Sequence, residues 1–405
     1  MPAIDNGVRR AASHHDWKGR IRMPEVKGPF DNALQPTAPA KPPAKVQAAA
    51  KPENRLNKRI QEPALPVGQG EDALYVGIDL GTSRTSVSAS NGQRHTVLSW
   101  VGYPKDIIAR KRVGTKTVIG QEALDNRLAL DMIKPLETGV INSSDPRCVH
   151  AVKELVGYAL SLCGTKLEQP LYAVIGVPAR ASIENQKAIL RSVQPFVSSA
   201  MVASEPFAVA YGLDLLTEAL IIDIGAGTID LCRMHGTMPE EADQVTIAAG
   251  GDAVDRRLEE EILKRYEKVQ LTQHMVRDIK EKYGFVSDPH RHCVVTLTEN
   301  GRPGEYDITE ALQTACTSIV PPIVDAVHQL IGSFDPDFQA RLRNNVVLAG
   351  GGSRLIGLPL LLEKGLEELG GGRVIAVDEP TYAGSNGALK MAMEMPARYW
   401  KALVT

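Results

Sequence analysis

Two segments of this sequence combine a carboxylate with glycines in a pattern suited to binding nucleotide phosphates. In residues 219–232, an apolar run rich in branched residues, typical of a buried strand, ends in Asp223. A turn follows, made of Gly225, Ala226, Gly227 and Thr228. Glycines let backbone N–H groups approach phosphate oxygens because no Cβ intervenes, and the threonine hydroxyl adds a donor. Asp223 is suited to hold Mg²⁺ through water, since this ion dehydrates reluctantly.

The earlier segment, residues 74–88, repeats this plan. Its apolar strand ends near Asp79, and a second strand follows a short polar turn. That turn contains Gly81, Thr82 and Ser83. Either segment alone is read equally well as an ordinary glycine-containing hairpin. Two copies in one chain instead predict two similar lobes with a nucleotide between them.

A third candidate group is a carboxylate at a strand-to-helix junction. Glu205 precedes Pro206, and proline is favoured in the first turn of a helix, where its missing N–H costs nothing. A helix N-terminus favours the carboxylate form of a side chain. Glu205 is therefore placed to orient or deprotonate a water molecule, or simply to cap the helix. Its position alone does not choose between the two roles.

A fourth candidate lies between an apolar strand and a helix near the C-terminus. Its residues are Gly350, Gly351, Gly352, Ser353 and Arg354. Such a loop would let a flat ring lie against the backbone at a helix N-terminus. It is neither a Walker A loop nor a G-x-G-x-x-G motif. A further predicted helix, residues 273–283, carries Lys280 and Glu281 on the side opposite its apolar face.

The composition predicts a soluble intracellular protein of two or three domains. The chain has 405 residues, 43% of them hydrophobic, and a formal net charge of −2. Its five cysteines form no C-x-x-C pair, which argues against a disulfide framework or a zinc ribbon. No apolar run reaches the roughly 18–20 residues of a membrane span, and no apolar segment at the N-terminus suggests a secretory signal.

Residues 1–70 are predicted to be a disordered tail rich in Pro, Ala and Lys. They contain 12 Lys and Arg against 6 Asp and Glu, so the tail carries about +6 and the remainder about −8. This tail is either a solvated tether or a basic arm that touches an acidic protein or lipid head groups. Aromatic residues are not interleaved with the basic ones, so nucleic acid is not an expected partner.

The remaining chain is expected to form an α/β fold of two lobes. The first spans residues 71–218 with a small insert at 101–130, and the second spans 219–380 with a polar hairpin at 286–306. Residues 381–405 are expected to form a closing helix and tail that pack back on the first lobe. Asp252 is expected to cap a helix, and residues 309–334 to form one long helix kinked at Pro321 and Pro322.

Three segments, DLGTSRT, DIGAGTID and LAGGGSR, resemble in order and spacing the two phosphate motifs and the adenosine motif of the actin/Hsp70/sugar-kinase superfamily. Within it, IGVPARAS, SEPFAVAYGLD and IAAGGDAVDRRL resemble the MreB-like bacterial actins, especially those whose filaments align magnetosomes. The resemblance covers residues 74–395 and implies duplicated RNase H-like domains with an ATP cleft between them.

The resemblance also implies roles for the candidate residues. Asp79 and Asp223 would hold hydrated Mg²⁺, and Glu205 would position the attacking water. The residues implied in nucleotide binding are Gly81, Thr82, Ser83, Gly225, Ala226, Gly227, Thr228, Lys280, Glu281, Gly350, Gly351, Gly352, Ser353 and Arg354. Lys280 and Glu281 would contact adenine and ribose.

The function implied is that of a slow ATPase that polymerises into cytoplasmic filaments organising magnetosomes, with an acidic magnetosome-associated adaptor as partner. A cell-shape actin of the MreB type is the alternative within the family. An Hsp70-type chaperone would carry a β-rich substrate domain after the nucleotide domain, and we expect none in residues 381–405. A sugar kinase would carry an acceptor pocket with its own base, and no insert is available for one.

Overall fold

The computed structural model describes residues 73–114, 117–142, 144–166, 169–288 and 290–403, so the predicted tail, residues 1–70, lies outside the described residues. The strands are β1 Leu74–Leu80, β2 Arg84–Ala89, β3 Arg94–Leu98, β4 Val101–Pro104, β5 Val118–Ile119, β6 Leu130–Ile133, β7 Leu136–Glu137, β8 Val140–Ile141, β9 Leu171–Val177, β10 Ser199–Ser204, β11 Thr217–Ile224, β12 Ile229–His235, β13 Gln244–Ile247, β14 Val269–Gln270, β15 Val294–Glu299, β16 Arg302–Asp307, β17 Val346–Ala349 and β18 Val374–Ala376.

The α-helices are α1 Ile107–Val113, α2 Gln121–Asp125, α3 Pro146–Leu162, α4 Ile183–Val193, α5 Glu205–Gly212, α6 Gly251–Arg265, α7 Gln273–Tyr283, α8 Thr309–Thr317, α9 Val320–Gly332, α10 Pro336–Arg343, α11 Leu358–Gly365, α12 Ala383–Glu394 and α13 Ala397–Ala402. None of these helices in the described part of the chain combines the length and apolarity needed to cross a membrane.

Two five-stranded sheets share one topology. The first has the order β10-β9-β1-β2-β3 and the second β13-β12-β11-β17-β18. In each, the first strand of a hairpin pairs antiparallel with the next strand and parallel with a later one, as β1 does with β2 and β9, and β11 with β12 and β17. The sheets therefore repeat one another, and we call the parts built around them the first and second lobes.

The apolar residues form three main cores. One lies on the first sheet and includes the buried face of α3, where Val152, Leu155 and Val156 are fully buried. A second lies on the outer side of the second sheet. The third lies between the sheets, around α5 and α12, and joins Val174 of the first sheet to Ile221 of the second. This third core connects the lobes at the base of the space between them.

The predicted insert regions form small sheets. Strands β4, β5 and β6 make one in the first lobe with α1 and α2, and β14, β15 and β16 make one in the second. The single kinked helix predicted over residues 309–334 is wrong. The chain forms two helices, α8 and α9, because Pro321 and Pro322 fit the first turn of a new helix but lack the N–H groups that would continue the old one.

The helix cap predicted at Asp252 is also wrong. Helix α6 begins at Gly251 with Gly250 as its N-cap, so Asp252 lies inside the first turn. Its carboxylate instead pairs with Lys134 of the first lobe.

Candidate nucleotide-binding site

A cavity of about 290 Å³ opens between the two lobes, and nearly all the predicted site residues line it. Those present are Asp79, Gly81, Thr82, Ser83, Glu205, Asp223, Gly225, Ala226, Gly227, Thr228, Lys280, Glu281, Gly350, Gly351, Gly352 and Arg354. Ser353 is the exception. Its side chain is buried, and its hydroxyl donates to the Gly350 carbonyl at 2.7 Å. Ser353 therefore stabilises the loop from inside the protein and does not line the cavity.

The first turn, between β1 and β2, is held by serine and threonine hydroxyls. The Ser99 hydroxyl donates to the Gly81 carbonyl at 2.7 Å, and the Ser99 N–H donates to the Ser83 carbonyl at 2.9 Å. The Thr82 hydroxyl accepts a hydrogen bond from the Gly139 N–H at 2.8 Å. These bonds fix the turn from its own lobe and leave it facing the cavity.

The second turn, between β11 and β12, is held by the start of α6. The N–H groups of Gly251 and Asp252 donate to the carbonyls of Gly225 and Ala226, at 2.9 and 2.8 Å. A Cβ on Gly227 would collide with the Thr82 hydroxyl and lie 2.8 Å from Thr138 Cα. The two turns therefore meet across the cleft at a point where only glycine fits.

The glycine-rich loop after β17 approaches the second turn equally closely. Gly350 has φ +74°, which favours glycine, and a Cβ there would collide with the Asp223 carboxylate. A Cβ on Gly352 would lie 2.9 Å from Ile224 Cβ. Both glycines are needed because the loop lies directly against the end of β11.

Four carboxyl groups lie close enough for their charges to interact, those of Asp79, Glu205, Asp223 and Asp230, and all but Asp230 line the cavity. Glu205, the first residue of α5, is buried, as are Asp223 and Asp230. Burial raises the pKa of Asp79 to about 6. Burial, and then the charges of the neighbouring aspartates, raise the pKa of Glu205 and of Asp223 well above their usual values. Negative charge at this position is therefore costly unless a cation or hydrogen-bond donors accompany it.

The carboxylates that face the cavity fit a magnesium ion that binds as a complex with a nucleotide. No group of three or more His, Cys, Asp or Glu within the described ranges is arranged to hold a metal by itself. Asp79 and Asp223, however, face one cavity from opposite lobes, and each is destabilised as a carboxylate by burial. Mg²⁺ is commonly bound by one or two carboxylates together with waters and substrate phosphates, which is the set available here.

Lys280 and Glu281 lie on α7 at the edge of the cavity, and both are already engaged. The Lys280 ammonium donates to the Gly251 carbonyl at 2.7 Å and pairs with Asp255 at 2.7 Å. Glu281 accepts two hydrogen bonds from Arg84, each at 2.7 Å. The predicted adenosine-contacting pair is therefore held in place by neighbouring charges.

Sequence reasoning missed several residues that also line the cavity. They include Arg84, Gly139, Arg277, Pro380 and Thr381. Arg84 lies within the DLGTSRT motif, and Arg277 lies one helical turn before Lys280 and Glu281, so both had a signal in the sequence. Thr381 had none, because only the folded chain brings it to the site.

Comparison with known proteins shows the family to which this chain belongs. The family model described as MreB/Mbl protein matches residues 73–398. The chain belongs to the MreB/Mbl family of actin-like proteins. The predicted two-lobed actin-like fold and the predicted MreB-like resemblance are thereby confirmed.

Within this family the chain is similar to MamK. It is 40% identical over 336 residues to the actin-like protein MamK of Paramagnetospirillum magneticum, covering 83% of this chain and 97% of that protein. It is 39% identical over 333 residues to MamK of Magnetospirillum gryphiswaldense, covering 82% and 92%. These matches confirm the resemblance to a branch of the MreB-like bacterial actins drawn from the motifs, and that branch includes MamK.

Solved structures agree. The structure of a MamK double helical filament covers 80% of this chain and all of its own, with a TM-score of 0.78 and 40% identity. A non-polymerising MamK mutant bound to AMPPNP matches at 39% identity with a TM-score of 0.63, covering 80% of this chain and all of its own. MreB 5 of Spiroplasma citri, at 18% identity and a TM-score of 0.66 over 80% of this chain and 96% of its own, shares the fold.

Proposed function

We propose that this protein binds and slowly hydrolyses ATP and that the nucleotide controls its assembly into filaments. One observation carries the proposal: two hairpins of the same design, one from each lobe, face each other across one cavity that also contains the glycine-rich loop and α7. Support comes from the relatives, one of which forms a double helical filament and one of which binds AMPPNP.

The two turns and the loop would share the nucleotide between them. Backbone N–H groups around Gly81 and Gly227, with the hydroxyls of Thr82 and Thr228, would donate to the phosphate oxygens. The loop of Gly350, Gly351, Gly352 and Arg354 would take the adenosine end, beside Lys280 and Glu281. Mg²⁺, held through Asp79 and Asp223, would neutralise charge that develops on the phosphate oxygens.

Glu205 would position the attacking water. Its carboxylate lies in the cavity at the start of α5, and accepts a proton more readily than an ordinary glutamate because burial raises its pKa. The water oxygen bonds to the γ-phosphorus while the bond from that phosphorus to the bridging oxygen breaks, which yields ADP and phosphate. Catalysis of phosphoryl transfer comes mostly from positioning and electrostatic stabilisation, which a few fixed groups in a closed cleft supply.

Loss of the γ-phosphate would remove contacts that join the two turns, and the angle between the lobes would then report which nucleotide is bound. A head-to-tail contact that does not close into a ring gives an open filament, and a change of lobe angle would alter that contact. By similarity to MamK, we propose a cytoplasmic filament that organises magnetosomes, with the basic tail directed at an acidic adaptor.

The proposal is tested by sedimentation and electron microscopy of the purified protein with ATP, with ADP and without nucleotide, together with phosphate release. Filaments with ATP are expected, and absence of polymer under all three conditions would reject the cytoskeletal function. Glu205→Ala should still assemble, but phosphate release should fall by about a hundredfold or more, as expected for loss of a positioned base.

The matched control is Glu184→Ala. Glu184 also lies in the first turn of a helix, α4, but its side chain is exposed and outside the cavity. It should release phosphate at the wild-type rate. Equal rates for Glu205→Ala and wild type would mean that Glu205 only caps its helix.

A further inference from the structure

One face of helix α7 contacts the first lobe at the edge of the nucleotide cavity. His274, Arg277 and Glu281 are spaced three and four residues apart, which places them on the same side of the helix. Helix α7 belongs to the second lobe, so contacts on this face connect the two lobes at the opposite end of the cavity from the α5–α12 core. Any role of these contacts in nucleotide exchange concerns the same site and rests on the proposed nucleotide binding.

The strongest of these contacts joins Arg84 to Glu281. The two terminal guanidinium nitrogens of Arg84, Nη1 and Nη2, each donate to one carboxylate oxygen of Glu281 at 2.7 Å, in the paired geometry that makes arginine–carboxylate bonds specific. Both side chains line the cavity, yet they are 40% and 37% exposed. A pair that borders the cavity and also reaches solvent lies at its mouth.

Two further contacts flank this pair. The rings of Trp100 and His274 meet edge to face with their centroids 5.5 Å apart. Lys134 forms an ion pair with Asp252, and Arg277 lies 3.7 Å from the same carboxylate and 3.7 Å from Asp255. We call Arg84–Glu281, Trp100–His274 and Lys134–Asp252 the interlobe contacts.

We propose that the interlobe contacts hold the cleft closed and set the rate at which nucleotide enters and leaves, with Arg84 as the principal residue. A nucleotide that leaves the space between the turns and the glycine-rich loop must pass Arg84 and Glu281. For the mouth to widen, α7 must separate from the first lobe, which breaks the bidentate pair. Arg84 therefore acts through Glu281 and the lobe angle, as a positioning residue.

The test is the dissociation rate of a fluorescent ATP analogue, N-methylanthraniloyl-ATP, chased with excess ATP in the presence of Mg²⁺. Replacing Arg84 by Gln (R84Q) should accelerate release about fivefold, the scale of one well-formed ion pair near the surface. Added salt should accelerate release from the wild type more than from R84Q, because salt screens exposed charges. Equal rates for R84Q and the wild type would overturn the proposal.

A matched control is available in Arg257. Its guanidinium lies 2.7 Å from the Glu261 carboxylate, and its side chain is 44% exposed. Both residues lie on α6 of the second lobe, so the pair does not join the lobes, and neither residue lines the cavity. R257Q should therefore release the analogue at the wild-type rate, and an acceleration equal to that of R84Q would show a general loosening of the protein.

A double variant separates action through Glu281 from direct contact with nucleotide. In an E281Q background, adding R84Q should change the release rate by less than about twofold, because the pair is already lost. A full fivefold effect in that background would mean that Arg84 contacts nucleotide itself, against the proposal. Melting temperatures confirm that each variant is folded.

A wild type that binds no analogue would overturn the proposed function as well, whereas binding with unaltered release in R84Q would overturn this inference alone.

Discussion

The β1–β2 and β11–β12 hairpins have one design but different attachments. Each places an aspartate one residue before the end of its first strand, and opposite Asp79 stands Ser86, whereas opposite Asp223 stands Asp230. The second turn is bonded to the start of α6 by backbone groups, and the first is bonded by the Ser99 and Thr82 hydroxyls together with one backbone bond, from the Ser99 N–H to the Ser83 carbonyl. The first hairpin also carries Arg84, which reaches the other lobe. The two hairpins therefore share one design, but the second is fixed to a helix of its own lobe, whereas the first carries a contact between the lobes.

The largest expected effect comes from adding a methyl group at the point where the two hairpins meet. In Gly227→Ala the new Cβ would collide with Thr82 and lie 2.8 Å from Thr138 Cα and 3.0 Å from the Gly139 nitrogen, and backbone atoms cannot give way as a flexible side chain can. We expect nucleotide affinity, measured by equilibrium dialysis, to fall about a hundredfold or more, a loss of about 3 kcal/mol.

Gly225→Ala is the comparison within the same turn. Its Cβ would approach only the Thr228 carbonyl, at 3.1 Å. Neither Gly225 nor Gly227 has a positive φ, so the contrast reports space alone. We expect a loss of less than about tenfold for Gly225→Ala, and equal losses in the two variants would contradict the close approach of the two turns.

The next effect concerns the two aspartates. Asp79→Asn and Asp223→Asn each keep the side-chain shape but remove a charge that we propose holds Mg²⁺. Each should lower ATP affinity about tenfold when Mg²⁺ is present, and much less when the metal is chelated, as measured by titration calorimetry. If chelating Mg²⁺ does not change the difference in ATP affinity between each variant and the wild type, the aspartates do not act through the metal.

The raised pKa of Asp79 also predicts that the free energy of unfolding of the nucleotide-free protein depends on pH. Its pKa is raised to about 6 by burial, so the folded state holds the proton more tightly than the unfolded chain. Its contribution to stability is therefore greatest below about pH 4 and is lost as the pH rises through 6, with a slope of up to about 1.4 kcal/mol per pH unit. Urea unfolding at pH 5 and pH 7.5 should show a smaller difference for Asp79→Asn than for the wild type.

The smallest expected effect is at Thr82. Thr82→Val removes the acceptor of the Gly139 N–H and should lower the free energy of unfolding by about 1 kcal/mol. Thr82→Ser keeps a hydroxyl and should recover most of that loss. If both variants unfold at the same urea concentration, the hydrogen bond does not stabilise the first turn.

Much of the fold was predictable because its signals are local. Apolar residues recur at three- and four-residue spacing from Val149 to Leu160, which predicts a helix. The structure has α3 there, Pro146–Leu162, with Asp145 as its cap, and this apolar face is buried except for Val149. The two hairpins were visible because each strand, carboxylate and turn lies within about fifteen residues. The proline pair in 309–334 was recognised as an interruption, but the sequence pattern did not distinguish a kink from a new helix.

The contacts between lobes could not be predicted from spacing along the chain. Arg84 and Glu281 are 197 residues apart, and Lys134 and Asp252 are 118 apart. Asp252 follows a Gly-Gly turn and so resembles a helix cap, but its carboxylate forms an ion pair with Lys134 of the first lobe. Ser353 belonged to a recognised loop, yet whether its hydroxyl faces the cavity or the Gly350 carbonyl depends on a backbone geometry that residue types alone do not specify.

Titration calorimetry of ATP with Mg²⁺ into the wild-type protein tests the central claim most directly, namely that both hairpins bind one nucleotide between them. We expect saturable binding with a stoichiometry of one ATP per chain, and loss of the heat in Gly227→Ala. Absence of heat in the wild type, or a wild-type isotherm from Gly227→Ala, would contradict the account.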